Sequence, residues 1–172
     1  MVYFFCLGEN MEKMKELIPY IITLIIIILI KSFVIAPIRV NGTSMVPTLQ
    51  PKDIMILNRT AYYTKNPKRF DIVVVNLEEE KVIKRVIGLP GEEIEYRDNT
   101  LYVNGKKVKE NIKNLDTADY KSGKIPRNSY LVLGDNRRGS YDGRMFGFVK
   151  KSQIEGKTSL TILPFSRIGF RN

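Results

Sequence analysis

The hydrophobic pattern changes character once along the chain. Leu17 to Ile30 reads LIPYIITLIIIILI; after Lys31 and Ser32, FVIAPI continues it to Ile38. This 22-residue stretch matches the roughly 20 residues a membrane-spanning helix needs. It lacks the polar face of a buried soluble helix and the Ala-x-Ala exit of a cleaved secretory leader. The reading is a retained anchor over 17–38, with 1–16 a short cytoplasmic lead-in. Pro19 is placed in its first turn, and Lys31 snorkels to the headgroups. Lys13 and Lys15 precede the span and Lys31 and Arg39 follow it, so charge does not set its orientation. Met11 opens a more usual polar lead-in than Met1 and is an alternative start, which the native N-terminal mass decides. Cys6 would be free, lipidated or absent accordingly.

Beyond Val40 the pattern is that of strands. Asp53–Asn58, Asp71–Asn76, Val82–Ile87 and Ser129–Leu133 are short runs rich in branched and aromatic residues. Leu101–Val103 lies between the turn signals Asp98-Asn99 and Asn104-Gly105 and reads as a hairpin strand. No ten-residue stretch in 39–172 has helical periodicity. The chain is therefore mainly β, a small barrel or sandwich, with 92–128 a smaller accessory lobe.

Composition narrows the chemistry. The 172 residues contain no His, one Cys and no Trp. That excludes a Ser-His-Asp triad, a Cys-His dyad, histidine-based zinc sites and an intramolecular disulfide. No cofactor or metal is expected. Twenty-eight Lys and Arg against 18 Asp and Glu give a formal charge of +10. Nucleic acid and an anionic membrane are both possible partners for such a surface, and the apolar stretch favours the membrane.

Three segments hold the candidate chemistry. In Val40–Leu49, Gly42 and Pro47 bracket Thr43 and Ser44; a plain turn with self-bonded hydroxyls is the alternative. In Val82–Gly88, alternation puts Lys84 among branched residues. If that face is buried, desolvation lowers the amine's pKa towards a usable general base; otherwise Lys84 protects a sheet edge. In Leu133–Arg144, glycines and charges are dense enough for a rigid loop. Asp142 is expected to pair with Arg144, and Asp135 with Arg137 or Arg138. A chain without histidine can activate a serine with lysine, which points to Ser44 as nucleophile and Lys84 as base.

Ser44-Met45-x-Pro47-Thr48, Lys84-Arg85-x-x-Gly88-x-Pro90-Gly91-Glu92 and Gly134-Asp135-Asn136-Arg137-x-x-Ser140-x-Asp142-x-Arg144 resemble, in order, the boxes of bacterial type I signal peptidases. Asp71-Ile-Val-Val and Leu163–Phe170 resemble further parts of that family. The single anchor and short lobe resemble its Gram-positive form. The resemblance implies a single-pass membrane serine endopeptidase with an all-β, two-lobed catalytic domain outside the cytoplasm. It implies removal of signal peptides from exported preproteins after an Ala-x-Ala-like site, close to the secretion machinery and without nucleic acid. It assigns Ser44 as nucleophile, Lys84 as base, Ser140 as the hydroxyl orienting the amine, and Asp142 and Arg144 as loop supports. Arg85 is a paired basic residue, and Met45 flanks the substrate cleft.

Two positions depart from the pattern. Gly42 stands where some members place a serine that donates to the oxyanion, so the Ser44 backbone N–H, with help from Thr43 or water, takes that role. Gly143 stands where other members carry Ser. The rival enzyme is a self-cleaving Ser-Lys protease of the SOS-repressor type, which cleavage in trans distinguishes. A membrane-tethered, non-enzymatic β module would tolerate loss of Ser44 or Lys84.

Overall fold

The computed structural model describes residues 2–113 and 115–171, with side chains from 15 to 29 and from 33 onward. The chain divides into two units, Met1–Ile35 and Ala36–Asn172. The first is a helix, α1 (Val2–Val34). Pro19 lies inside it rather than in its first turn, because the Met-, Glu- and Lys-rich lead-in is itself helix-forming. Thr23 Oγ1 donates to the Pro19 carbonyl at 2.8 Å. The side chains from 15 to 29 are all exposed. Among the described residues no helix is long and apolar enough to cross a membrane. The helix also stops short of Ile38. Pro37 disfavours helical backbone at Ala36, and Ile35–Arg39 forms a strand instead. The alternative start, Cys6 and the Lys31 headgroup contact lie outside the described residues.

The second unit is mainly β. In chain order its strands are β1 (Ile35–Arg39), β2 (Ile54–Asn58), β3 (Ile72–Asn76), β4 (Lys81–Gly88), β5 (Glu93–Arg97), β6 (Thr100–Val103), β7 (Lys106–Val108), β8 (Tyr120–Lys124), β9 (Ser129–Leu133), β10 (Val149–Lys150), β11 (Ile154–Leu163) and β12 (Gly169–Phe170). The larger sheet runs β1-β2-β11-β3-β4-β9-β10, with β12 beside β11. The smaller runs β7-β6-β5-β8. One short helix, α2 (Gly143–Phe146), follows the polar loop.

β4 sits between β3 and β9, so it is no edge strand, and it is buried from Lys84 to Gly88. Alternation along β4 and β9 feeds two cores. Val86, Tyr130 and Val132 join Val73, Val75 and Val149 on one side. Ile87, Leu131 and Leu133 join Ile94, Tyr96 and Leu101 of the smaller sheet on the other. Burial of each such side chain contributes about 1.5–3 kcal/mol. Gly88 lies where the sheets meet: a Cβ there would collide with Ile125 and come within 2.7 Å of Ile94 Cγ1. A third cluster of Val40, Met45, Leu49, Met55 and Ile72 seats the Val40–Leu49 loop.

Candidate active site

The Ser44 loop is tied down from several sides. Val40 N–H donates to the Asp53 carbonyl at 2.9 Å, and Leu49 N–H to Met45 at 2.9 Å. Buried Asp53 accepts from Gln50 N–H at 2.9 Å and from Arg167 Nε at 3.0 Å. The Ser44 carbonyl accepts from Asn136 N–H at 2.9 Å, which joins the first and third motif segments. The Ser44 N–H donates to no partner among the described residues. Gly42 is exposed and does not adopt left-handed backbone. A Cβ there would meet nothing within 4 Å, so a side chain has room.

Lys84 is 3% exposed, beside Val73 of β3. Burial pulls its amine below the ordinary value of 10.5. Asp142 and Glu80 oppose that shift by stabilising the ammonium, and Arg144 reinforces it. The Lys84 amine makes no ion pair or hydrogen bond among the described residues. Lys84 and Ser44 line one cavity of about 310 Å³, with Gly42, Met45, Ile83 and Tyr141 also in its wall. Thr43 does not line it. β4 meets β9 only from Arg85 onward, so Lys81–Lys84 pairs with β3 and leaves its other edge open.

The third segment closes around the buried side chain of Asp142. This carboxylate accepts from Gly134 N–H at 3.0 Å and from Arg144 Nε and Nη2, both at 2.9 Å. Burial pushes its pKa up, but these bonds outweigh burial and hold it below the usual carboxylate value. Ser140 is buried and its hydroxyl has no partner among the described residues. It packs on Gly134, where a Cβ would strike Ser140 Oγ and lie 2.5 Å from the Ser44 carbonyl oxygen. Gly143 has no room either: its Cβ would sit 2.8 Å from the Val132 carbonyl oxygen.

Asp142 pairs with Arg144 as expected, but the other expected pairs do not form. Asp135 receives Arg85 in a buried two-pronged bond, Nε at 2.8 Å and Nη2 at 2.7 Å. Arg138 reaches Asp116. Arg137 turns towards the smaller sheet and bonds Glu110 at 2.5 Å, Tyr96 at 2.8 Å and Thr117 at 2.9 Å. Asp135 is taken by buried Arg85, and buried Glu110 supplies the counter-charge that the desolvated Arg137 guanidinium requires, whereas Arg138 and Asp116 form an exposed pair. Glu110→Gln is therefore expected to lower stability by about 3 kcal/mol by leaving Arg137 buried without a counter-charge. Urea unfolding of the two forms measures it, and equal midpoints would refute it.

Sequence reasoning did not find Asn136 as the anchor of Ser44, or Glu80 and Tyr141 in the cavity wall. No local pattern signals such contacts. No group of three or more His, Cys, Asp or Glu able to hold a metal occurs among the described residues.

A mainly β domain that seats a serine and an unpaired, desolvated lysine on one cavity has the parts for nucleophilic hydrolysis without histidine. The comparisons with known proteins agree with that class. The family model described as signal peptidase, peptidase S26, matches residues 14–163. The signal peptidase I S of Bacillus subtilis is 37% identical over 94% of this chain and 97% of that protein. The signal peptidase IB of Staphylococcus aureus is 36% identical over 91% of this chain and 94% of that protein. A crystal structure of a signal peptidase I from Enterococcus faecalis, 42% identical, superposes with a TM-score of 0.50 over 54% of this chain and 97% of that one. The chain belongs to the signal peptidase family, peptidase S26, and is a serine peptidase.

Proposed function

We propose that this peptidase cleaves N-terminal signal peptides from exported preproteins after an Ala-x-Ala-like site, with Ser44 as nucleophile and Lys84 as general base. The observation that carries the reading is the buried, unpaired amine of Lys84 on the cavity that Ser44 lines. The neutral amine removes the Ser44 proton as the hydroxyl attacks the scissile carbonyl. The resulting ammonium protonates the leaving amine, and a water, deprotonated in turn by Lys84, releases the acyl group. The free Ser44 N–H is available to the developing oxyanion, and Gly42 adds no side-chain donor. Ser140 Oγ is an unspent hydroxyl suited to orienting the amine. The open edge of Lys81–Lys84 accepts an extended substrate as an added strand.

In this reading the apolar part of α1 from Leu17 to Val34 holds the enzyme in the cell membrane, with the catalytic domain on the extracytoplasmic side and its substrates confined to the same bilayer. The +10 charge suits an anionic lipid surface. The test is incubation of the detergent-solubilised full chain with a model preprotein, beside Ser44→Ala. The wild type is expected to cut once, after the small-residue site. Ser44→Ala is expected to lose activity by a factor on the order of 10³ or more. Full activity in Ser44→Ala would overturn the assignment.

A further inference from the structure

Tyr141 is 59% exposed and stands in the wall of the cavity lined by Ser44 and Lys84. Its place is fixed. Ser140 and Asp142 on either side are buried, and Asp142 is bonded to Arg144 and to Gly134 N–H. Its ring meets Phe146 edge to face, with centroids 5.6 Å apart and planes at 63°. An aromatic side chain held this way offers contact area at little further cost in conformational freedom. Of the other exposed groups in this wall, Lys81 is engaged by Glu155 at 2.8 Å. Tyr141 therefore presents the exposed aromatic surface of the cavity.

An extended segment lying along the open edge of Lys81–Lys84 alternates its side chains. When two small residues separated by one position face the cavity floor, the residue between them faces the rim. We infer that Tyr141 is a specificity-determining residue that contacts the substrate side chain two positions before the cut and favours a bulky apolar or aromatic residue there. This rests on the signal-peptide reading above.

The test uses the full chain in detergent and preproteins that differ only at that position, carrying Phe, Leu, Gly or Asp. Wild type is expected to prefer Phe and Leu over Gly by roughly two- to twelvefold in kcat/KM, the range of one aromatic contact. Tyr141→Ala is expected to collapse that ratio towards one, and Tyr141→Phe to keep it. An unchanged ratio in Tyr141→Ala, or no preference in the wild type, overturns the inference while leaving the peptidase reading standing. If wild-type protein cleaves none of the substrates, the signal-peptide reading fails and this inference fails with it.

Discussion

Lys84→Met is expected to abolish preprotein cleavage and at the same time make the protein more stable at neutral pH. The side chain is buried and unpaired, and burial lowers its pKa. In the folded state the ammonium is penalised, whereas in the unfolded chain it is solvated. At pH below the lowered value both states are protonated and the full penalty is felt, about 1.4 kcal/mol for each unit of depression. As the pH rises from there towards 10.5, only the unfolded chain keeps its proton, and the penalty fades. Wild type therefore gains stability over this window while Lys84→Met, of similar length and apolar, does not. Thermal unfolding at pH 6 and pH 10 reads the difference: the variant's advantage is expected to shrink at pH 10. A less stable variant at pH 6, or a gap independent of pH, would count against a desolvated amine. The same titration governs activity. Only the neutral amine is a base, so wild-type kcat/KM is expected to rise with pH through the lowered value. A flat profile would remove Lys84 from the proton transfer.

This trade of stability for chemistry is why the candidate site was partly legible in the sequence. A lysine inside Val82–Gly88, a hydroxyl pair beside Pro47 and a glycine-and-charge loop each break a local rule, and such breaks mark places where structure is sacrificed to function. Strands with branched runs were equally legible: the stretches at 53–58, 71–76, 82–87 and 129–133 coincide with β2, β3, β4 and β9 to within a residue or two. β11 was not. Its sequence, IEGKTSLTIL, breaks up its branched residues with Glu, Gly, Lys and Ser, and its strand state comes from pairing with both β2 and β3. β5 and β8 carry alternating charges that resemble turn sequence until the smaller sheet buries Ile94 and Tyr96. The end of the first helix was misplaced because hydropathy cannot see that Pro37 and the sheet claim Ile35–Arg39. The pairing expected of Asp135 failed for a related reason. Spacing in sequence ranks Arg137 and Arg138 nearest to Asp135, but the sheet register brings Arg85 opposite Leu133, two residues from Asp135.

That register makes the Arg85–Asp135 pair the joint of the whole site, and Asp135→Ala is expected to cost about 3–5 kcal/mol. Arg85 and Asp135 have side chains 1% and 0% exposed. Arg85 also donates to the Phe70 carbonyl at 2.9 Å. Removing the carboxylate strands a guanidinium that water cannot reach, which costs far more than an exposed pair would. The next residue, Asn136, holds the Ser44 carbonyl through its N–H, and Gly134 on the other side donates to Asp142. Loosening Asp135 therefore releases the nucleophile's anchor and the Asp142 clamp together, so activity is expected to fall as well as stability. A double change, Arg85→Met with Asp135→Leu, separates the two effects. It removes both charges and refills the space with apolar side chains, so most of the lost stability is expected to return. The directional bonds that set the loop's position do not return, and cleavage is expected to stay impaired. Urea unfolding and preprotein cleavage on the full chain measure both. If Asp135→Ala costs under about 1 kcal/mol, or the double variant is no more stable than the single, the pair is not a desolvated joint. If the double variant recovers full activity, the loop is positioned by packing rather than by the ion pair.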